Sequence, residues 1–277
     1  MFLIKQILPV ASVAALASVL MCAVTLAWRG RAQQALVPFI IATGYACGHL
    51  FIVGRCSLPP TDTLNWLPIL ALGAAAVGHA LALLPHRRTR MLAAGFVAAG
   101  ALRLLLHPLF SHAWTGGVGW MWVTGLSVAA VLMMQSLDAL SRQSSSRLET
   151  PLLLFIVSAG TSIALSLSGS LLLGQFAAVL GAALAGMLAL GWRGPVNREA
   201  SSFVFSLLLM ALIVSGHLFA ELPATSGLLL AVSPPLAGIP IPASRPLSIL
   251  ATRIVLISAP IALALLLALQ ASPPLTY

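Results

Sequence analysis

The 277-residue chain is 60% hydrophobic and 7% charged, with a formal net charge of +9. Soluble domains carry roughly 25% charged residues, so this composition cannot cover a water-exposed surface and excludes an ordinary soluble protein. Apolar runs long enough for a hydrocarbon core of ~30 Å recur along the chain, and their continuity excludes a transmembrane barrel, whose strands alternate in ~10-residue segments.

The predicted elements are therefore helices, nine spans at 7–28, 35–54, 66–84, 91–109, 117–137, 151–168, 171–192, 202–220 and 248–269. Together they read as one all-α polytopic bundle over residues 1–269 with a short tail at 270–277. The first run follows Lys5 and exceeds the roughly 7–15-residue core of a signal peptide, so it reads as a retained span. Pro151 to Trp192 is one apolar stretch broken by Ser166-Leu167-Ser168-Gly169-Ser170. It is twice what one crossing needs, and a turn at 166–170 divides it. The segment Ser141 to Thr150 reads as a solvated linker. Gly227 to Val232 is too short to cross, so it lies in the interface or re-enters, and Ser233-Pro234-Pro235 reads as part of a stiff loop.

Orientation follows from the arginines. Alternate loops collect Arg29, Arg31, Arg87, Arg88, Arg90, Arg142, Arg147, Arg193 and Arg198, while the other side holds Lys5, Arg55 and Arg245. Loops rich in Lys and Arg face the cytoplasm. The N-terminus is then outside and the C-terminus inside, in the cell membrane, as in a bacterial inner membrane. The same arginines explain the positive charge without nucleic acid. Cys22, Cys47 and Cys56 show no CxxC spacing and imply no disulfide framework.

A tetrapeptide recurs: Gly48-His49-Leu50-Phe51 and Gly216-His217-Leu218-Phe219. Each follows a Trp-Arg-Gly at the start of its span (Trp28-Arg29-Gly30, Trp192-Arg193-Gly194) and precedes a Pro-Pro. Helices 1–3 and 7–9 thus read as a parallel repeat, residues 7–84 and 171–269 flanking central helices at 91–168. Duplication puts both histidines at one depth. Gly44 with Gly48, and Ala211 with Ser215, form small-xxx-small patterns that let backbones approach.

The candidate ligand-binding residues are His49, Asp62, Arg103, His107, His217, Glu221 and Arg253. They fall toward the outer side and suggest an outward-facing polar pocket. An intramembrane arginine costs at least ~2.5–3.5 kcal/mol, so Arg103 and Arg253 need partners, and Asp62 and Glu221 are the acids expected to pair with Arg103, Arg253 or Arg55. Arg103 and His107 are spaced i, i+4 and share a helix face. Snorkelling to the headgroups is the plainer account of either arginine. His49 and His217 could ligate a metal or a b-type haem. Packing histidines are the favoured reading, because no HxxxH or HExxH spacing is present.

The run Gly44-Tyr45-Ala46-Cys47-Gly48-His49, then Leu58-Pro59-Pro60-Thr61-Asp62 and Trp66-Leu67-Pro68, resembles uncharacterised bacterial polytopic membrane proteins with a GH-loop-PP-x-D pattern. The resemblance covers about residues 44–68 and implies a multi-pass membrane protein, with no activity or site residue to carry over.

No catalytic motif stands out: there is no phosphate loop and no GxSxG elbow. The leading reading is a non-enzymatic integral membrane protein that binds or moves a small, anionic solute from outside. The alternatives are a haem or metal protein using His49 and His217, and a structural or assembly subunit. The partners expected are the lipid bilayer and other membrane proteins.

Overall fold

A computed structural model describes residues 2–28, 31–54, 60, 62–144, 146–193, 199–241 and 246–271. Among the described residues it is all-helical. The helices are α1 (Phe2–Ala27), α2 (Arg31–Val53), α3 (Leu67–Ala82), α4 (Arg87–Leu105), α5 (His107–His112), α6 (Gly116–Gln143), α7 (Glu149–Leu167), α8 (Leu171–Ala183), α9 (Ala185–Arg193), α10 (Glu199–Phe219), α11 (Ala224–Ala237) and α12 (Pro246–Ala271). A 3₁₀ turn, Thr63–Trp66, leads into α3. Of the residues read from sequence, Arg29, Arg55, Cys56, Arg198, Arg245 and 272–277 lie outside the described residues.

Eight described segments are long and apolar enough to cross a membrane. The fourth expected span is realised differently. Its helix α4 carries Arg87, Arg88, Arg90 and Arg103, and it stops at Leu105. Leu106 leaves helical geometry (φ −91°, ψ 8°), and α5 starts afresh at His107 with Pro108 in its first turn. Proline is tolerated there because first-turn N–H groups need no intrahelical acceptor.

The turn expected at 166–170 is present. α7 ends at Leu167 and α8 begins at Leu171. Gly169 takes φ +90°, a conformation open to glycine. The Ser170 hydroxyl then accepts from Leu173 N–H and caps α8. Further on, the pass breaks between α8 and α9. There the Gly186 N–H donates to Ser18 Oγ at 3.1 Å, and a side chain entering the backbone ladder is a recognised cause of such a break.

Two ends of the bundle can be followed through cross-helix contacts. Arg87 donates from Nε to Gln135 Oε1 (2.7 Å), and Arg90 pairs with Asp138 (2.7 Å). The start of α4 and the end of α6 therefore lie together, at what we call the arginine end. Gly119 packs on Phe110, and Trp122 faces His217, so the starts of α5 and α6 and the end of α10 form the histidine end. α10 is the central helix, buried along most of its described length and packed on α2, α3, α6 and α8.

α11 changes the expected topology. It leaves the histidine end beside Leu222 and finishes with Gly238 against the Ser136 carbonyl, near the arginine end. It is an apolar helix of 14 residues, shorter than the eight segments long enough to cross a membrane. The prolines expected in a loop are helical, because Ser233 Oγ donates to Leu230 O (2.9 Å). That carbonyl would otherwise lose its donor at Pro234, and a serine hydroxyl is a common substitute in apolar surroundings. α12 consequently runs the other way from the expected ninth span. Arg253 meets Glu149, Gly160 packs on Ile261, and Ser226 Oγ donates to Ala264 O. α12 is thus parallel to α7 and ends at the histidine end, where α1 begins. The described start of α1 and finish of α12 thus lie at one end of the bundle, whereas the sequence reading has the termini on opposite sides. Of the helices expected to repeat, α1 with α8–α9 and α2 with α10 share direction, and α12 opposes α3.

The linker Ser141 to Thr150 also departs from expectation. Glu149 and Thr150 are buried, and Ser144 Oγ and Thr150 Oγ1 are 3.1 Å apart. The reason is Arg253, which draws the start of α7 inward.

The small-xxx-small pattern on α2 works as expected. A Cβ at Gly44 would lie 2.9 Å from Ala14 O, and one at Gly48 would lie 2.8 Å from Ala14 Cβ. The absence of side chains there brings α1 against α2. In lipid such contacts replace the hydrophobic drive of water as the source of helix association.

Candidate functional site

The seven residues expected at one pocket separate into four surroundings. His49 is fully buried on α2. Its ring stacks on Phe176 of α8, centroids 4.2 Å apart, with Tyr45 at 6.0 Å. Neither ring nitrogen makes a hydrogen bond of good geometry, but the Asn65 side chain of the 3₁₀ turn is close enough to interact with the ring. Asp62 precedes that turn, is exposed, and makes no side-chain cap.

His217 lies on α10, with Nδ1 2.8 Å from Leu222 O and its ring 6.2 Å from Trp122 of α6. This bond closes the α10–α11 turn, where Gly216 O accepts from the N–H groups of Ala220 and Leu222. Glu221 sits at that turn with φ 55°, exposed to the surroundings. The strain of a non-glycine residue there makes it a turn residue first.

The two imidazoles lie toward the same end of the bundle but have different ring neighbours. His49 faces Phe176 of α8 and His217 faces Trp122 of α6. A haem held by both would need them to face each other across one iron. Among the described residues no cluster of three or more His, Cys, Asp or Glu could hold a metal. The environment of His49 carries an expectation of its own. Exchange of buried nitrogens that make no hydrogen bond of good geometry for an apolar ring of similar shape is expected to be close to neutral. His49→Phe should therefore leave the thermal unfolding midpoint in detergent close to unchanged, and a clear fall would show that the imidazole makes a stabilising polar contact.

Arg253 is absent from the histidine end altogether. It is 2% exposed and donates to Glu149 Oε1 at 2.5 Å and to Gln143 Oε1 at 3.3 Å, at the arginine end. The acids expected to serve it, Asp62 and Glu221, are at the other end. This buried polar layer escaped the sequence reading. A signal for it existed: Arg87 and Arg90 are spaced i, i+3 on α4, and their acceptors Gln135 and Asp138 have the same spacing on α6.

Arg103 and His107 remain. The helix break at Leu106 separates them, so they do not share the face that i, i+4 spacing implied, and the exposed His107 lends its carbonyl to Ser111 Oγ (3.0 Å). Arg103 is half-buried, with its guanidinium carbon 3.8 Å from the centroid of the Phe110 ring. This is a cation–π contact. No acid pairs with Arg103 among the described residues, in contrast to Arg90 and Arg253. It lines a groove of about 670 Å³ between α4 and α6, open along the flank of the bundle. The other groove residues are apolar apart from Thr124 and Ser127. Ser127 turns its hydroxyl to Val123 O (2.6 Å), which removes it as a donor to a ligand.

No family model matches the chain, and no curated protein or solved structure matches it.

Proposed function

We propose that the chain is a multi-pass protein of a bacterial inner membrane that binds a small acidic ligand through Arg103, near the outer face. The observation that carries this reading is the contrast among buried or half-buried arginines. Arg90 and Arg253 have carboxylates, whereas Arg103 has an aromatic ring beneath it and an open groove beside it. A guanidinium inside an apolar segment is costly to insert, and an acidic ligand would offset that cost. The role is binding rather than catalysis, since Arg103 has no nucleophile or general base placed beside it. An assembly role is less favoured because Gly44, Gly48 and Gly186 are already used for packing within the chain.

Membrane sidedness follows from charge. Arg87, Arg88, Arg90 and Arg142 cluster where α4 begins and α6 ends, and such clusters favour the cytoplasm. Both ends of the bundle's chain, α1's start and α12's finish, then face outward. Single cysteines at exposed His86, Ser111 and Ala271, in a background with the native cysteines removed, test this. An impermeant maleimide should label Ser111→Cys and Ala271→Cys on intact cells, and His86→Cys only after lysis. The reverse pattern defeats the assignment.

The ligand reading has its own test. Protein extracted in an uncharged maltoside detergent should retain an acidic adduct in native mass spectrometry, and Arg103→Gln should lose it. Equal adduct profiles for the two proteins would end this reading.

A further inference from the structure

The groove between α4 and α6 has the dimensions and polarity of a lipid seat. We infer that it holds an anionic phospholipid, with the phosphate headgroup on Arg103 and an acyl chain lying inward along α4. This rests on Arg103 being an acid-binding residue, and goes further by naming what carries the acid.

Three features support a lipid over a water-soluble anion. The first is length. The groove runs from Met91 to Arg103 on α4, which at 1.5 Å per residue is about 18 Å. One leaflet of a ~30 Å hydrocarbon core is about 15 Å deep. The groove is thus long enough to take an acyl chain, and Arg103, two residues from the end of α4, is the one cation among its described lining residues. The second is relief. Gly95, Ala99 and Gly100 form a shallow floor on α4. A Cβ at Gly100 would meet nothing within 4 Å, and one at Gly95 would come only within 3.8 Å of Val131. These glycines leave space beside the helix that no other part of the chain fills. Exposed Phe96 and Trp120 wall that space. The third is access. The groove opens along the flank, so a ligand diffusing within the bilayer enters sideways, while a soluble anion would have to cross the apolar wall.

Charge selects the headgroup. The Phe110 ring holds the guanidinium from one side, leaving its N–H groups for phosphate oxygens, which arginine matches in a bidentate fashion. A zwitterionic phosphatidylcholine would bring a second cation to the same place. A basic side chain near the membrane surface favours an anionic lipid by about fivefold.

The test is a lipid titration of the full chain in maltoside micelles, read by native mass spectrometry, with phosphatidylglycerol, phosphatidylcholine and glycerol 3-phosphate as probes. Phosphatidylglycerol should bind at least about fivefold more tightly than phosphatidylcholine. Arg103→Gln should abolish that preference. Gly100→Leu, whose Cβ would meet nothing within 4 Å, should weaken phosphatidylglycerol binding while the unfolding midpoint stays in place. Equal binding of the two phospholipids overturns the lipid seat. If glycerol 3-phosphate binds as tightly as phosphatidylglycerol and only Arg103→Gln weakens it, the lipid inference falls and acid binding at Arg103 stands. If Arg103→Gln binds all three probes like the unaltered protein, both fall.

Discussion

Arg253→Ala is expected to lower the stability of the bundle by about 3–5 kcal/mol, because it leaves the Glu149 carboxylate buried without its guanidinium. Both groups are at most 4% exposed, and Gln143 also accepts from Arg253, so one side chain ties α12 to α6 and α7. Glu149→Ala should cost a similar amount, since an unpaired arginine in an apolar layer is equally unfavourable. The paired change Arg253→Met with Glu149→Gln should recover most of the loss. It removes both charges together, and replacing a buried pair by uncharged residues of similar volume is often close to neutral. Equilibrium unfolding in mixed detergent micelles would measure the three variants. A loss below about 1 kcal/mol for Arg253→Ala would mean that its guanidinium reaches the headgroups instead, as snorkelling requires.

Gly186→Val should be damaging as well, for a steric reason. A Cβ at Gly186 would lie 2.4 Å from the Ser18 carbonyl oxygen and 2.5 Å from Ile40 Cγ2. The first of these is backbone, which cannot rotate away. The same residue's N–H donates to Ser18 Oγ, so displacing α1 also removes a buried hydrogen bond. Overpacking typically costs 1–3 kcal/mol and sometimes more; loss of the bond adds ~1 kcal/mol. A total of about 2–4 kcal/mol is expected, read as poor yield of folded protein and a lowered unfolding midpoint. Gly73→Ala and Gly125→Ala are the controls, because nothing lies within 4 Å of a Cβ at either position, and both should behave as the unaltered chain does. A tolerated Gly186→Val would show that α1 and α9 do not approach as closely as the geometry here requires.

Much of the architecture was legible because apolar run length is a direct physical requirement of the bilayer. The positions of α1, α2, α3, α6, α7, α10 and α12, and the turn at Gly169, follow from it. So does the close approach of α1 and α2 at Gly44 and Gly48. α11 was not legible. Its length is below the usual window, and Pro234 and Pro235 read as punctuation in any water-exposed chain. The hydroxyl of Ser233 makes them acceptable inside a helix, and no run-length rule registers that. One uncounted helix then reversed α12 and moved Arg253 to the wrong end, so Asp62 and Glu221 were nominated in place of Glu149. The candidate site fared less well than the fold for a related reason. Depth can be read from sequence, and His49 and His217 do share an end. Facing depends on which helices are neighbours, and that pairing sends one imidazole to Phe176 and the other to Trp122. The groove at Arg103 is made by side chains that are absent, at Gly95 and Gly100, and a missing side chain leaves little trace in a pattern of apolar letters.

The brevity of α11 bears on the surrounding membrane. Fourteen residues rise about 21 Å, some 9 Å less than a typical hydrocarbon core of ~30 Å, and Leu228 and Val232 on this helix are exposed to the surroundings. Were the bilayer to meet α11 end to end, acyl chains along that flank would shorten or tilt, at a cost of a fraction of a kcal/mol per Å, and the protein would be expected to favour the thinner of two membranes.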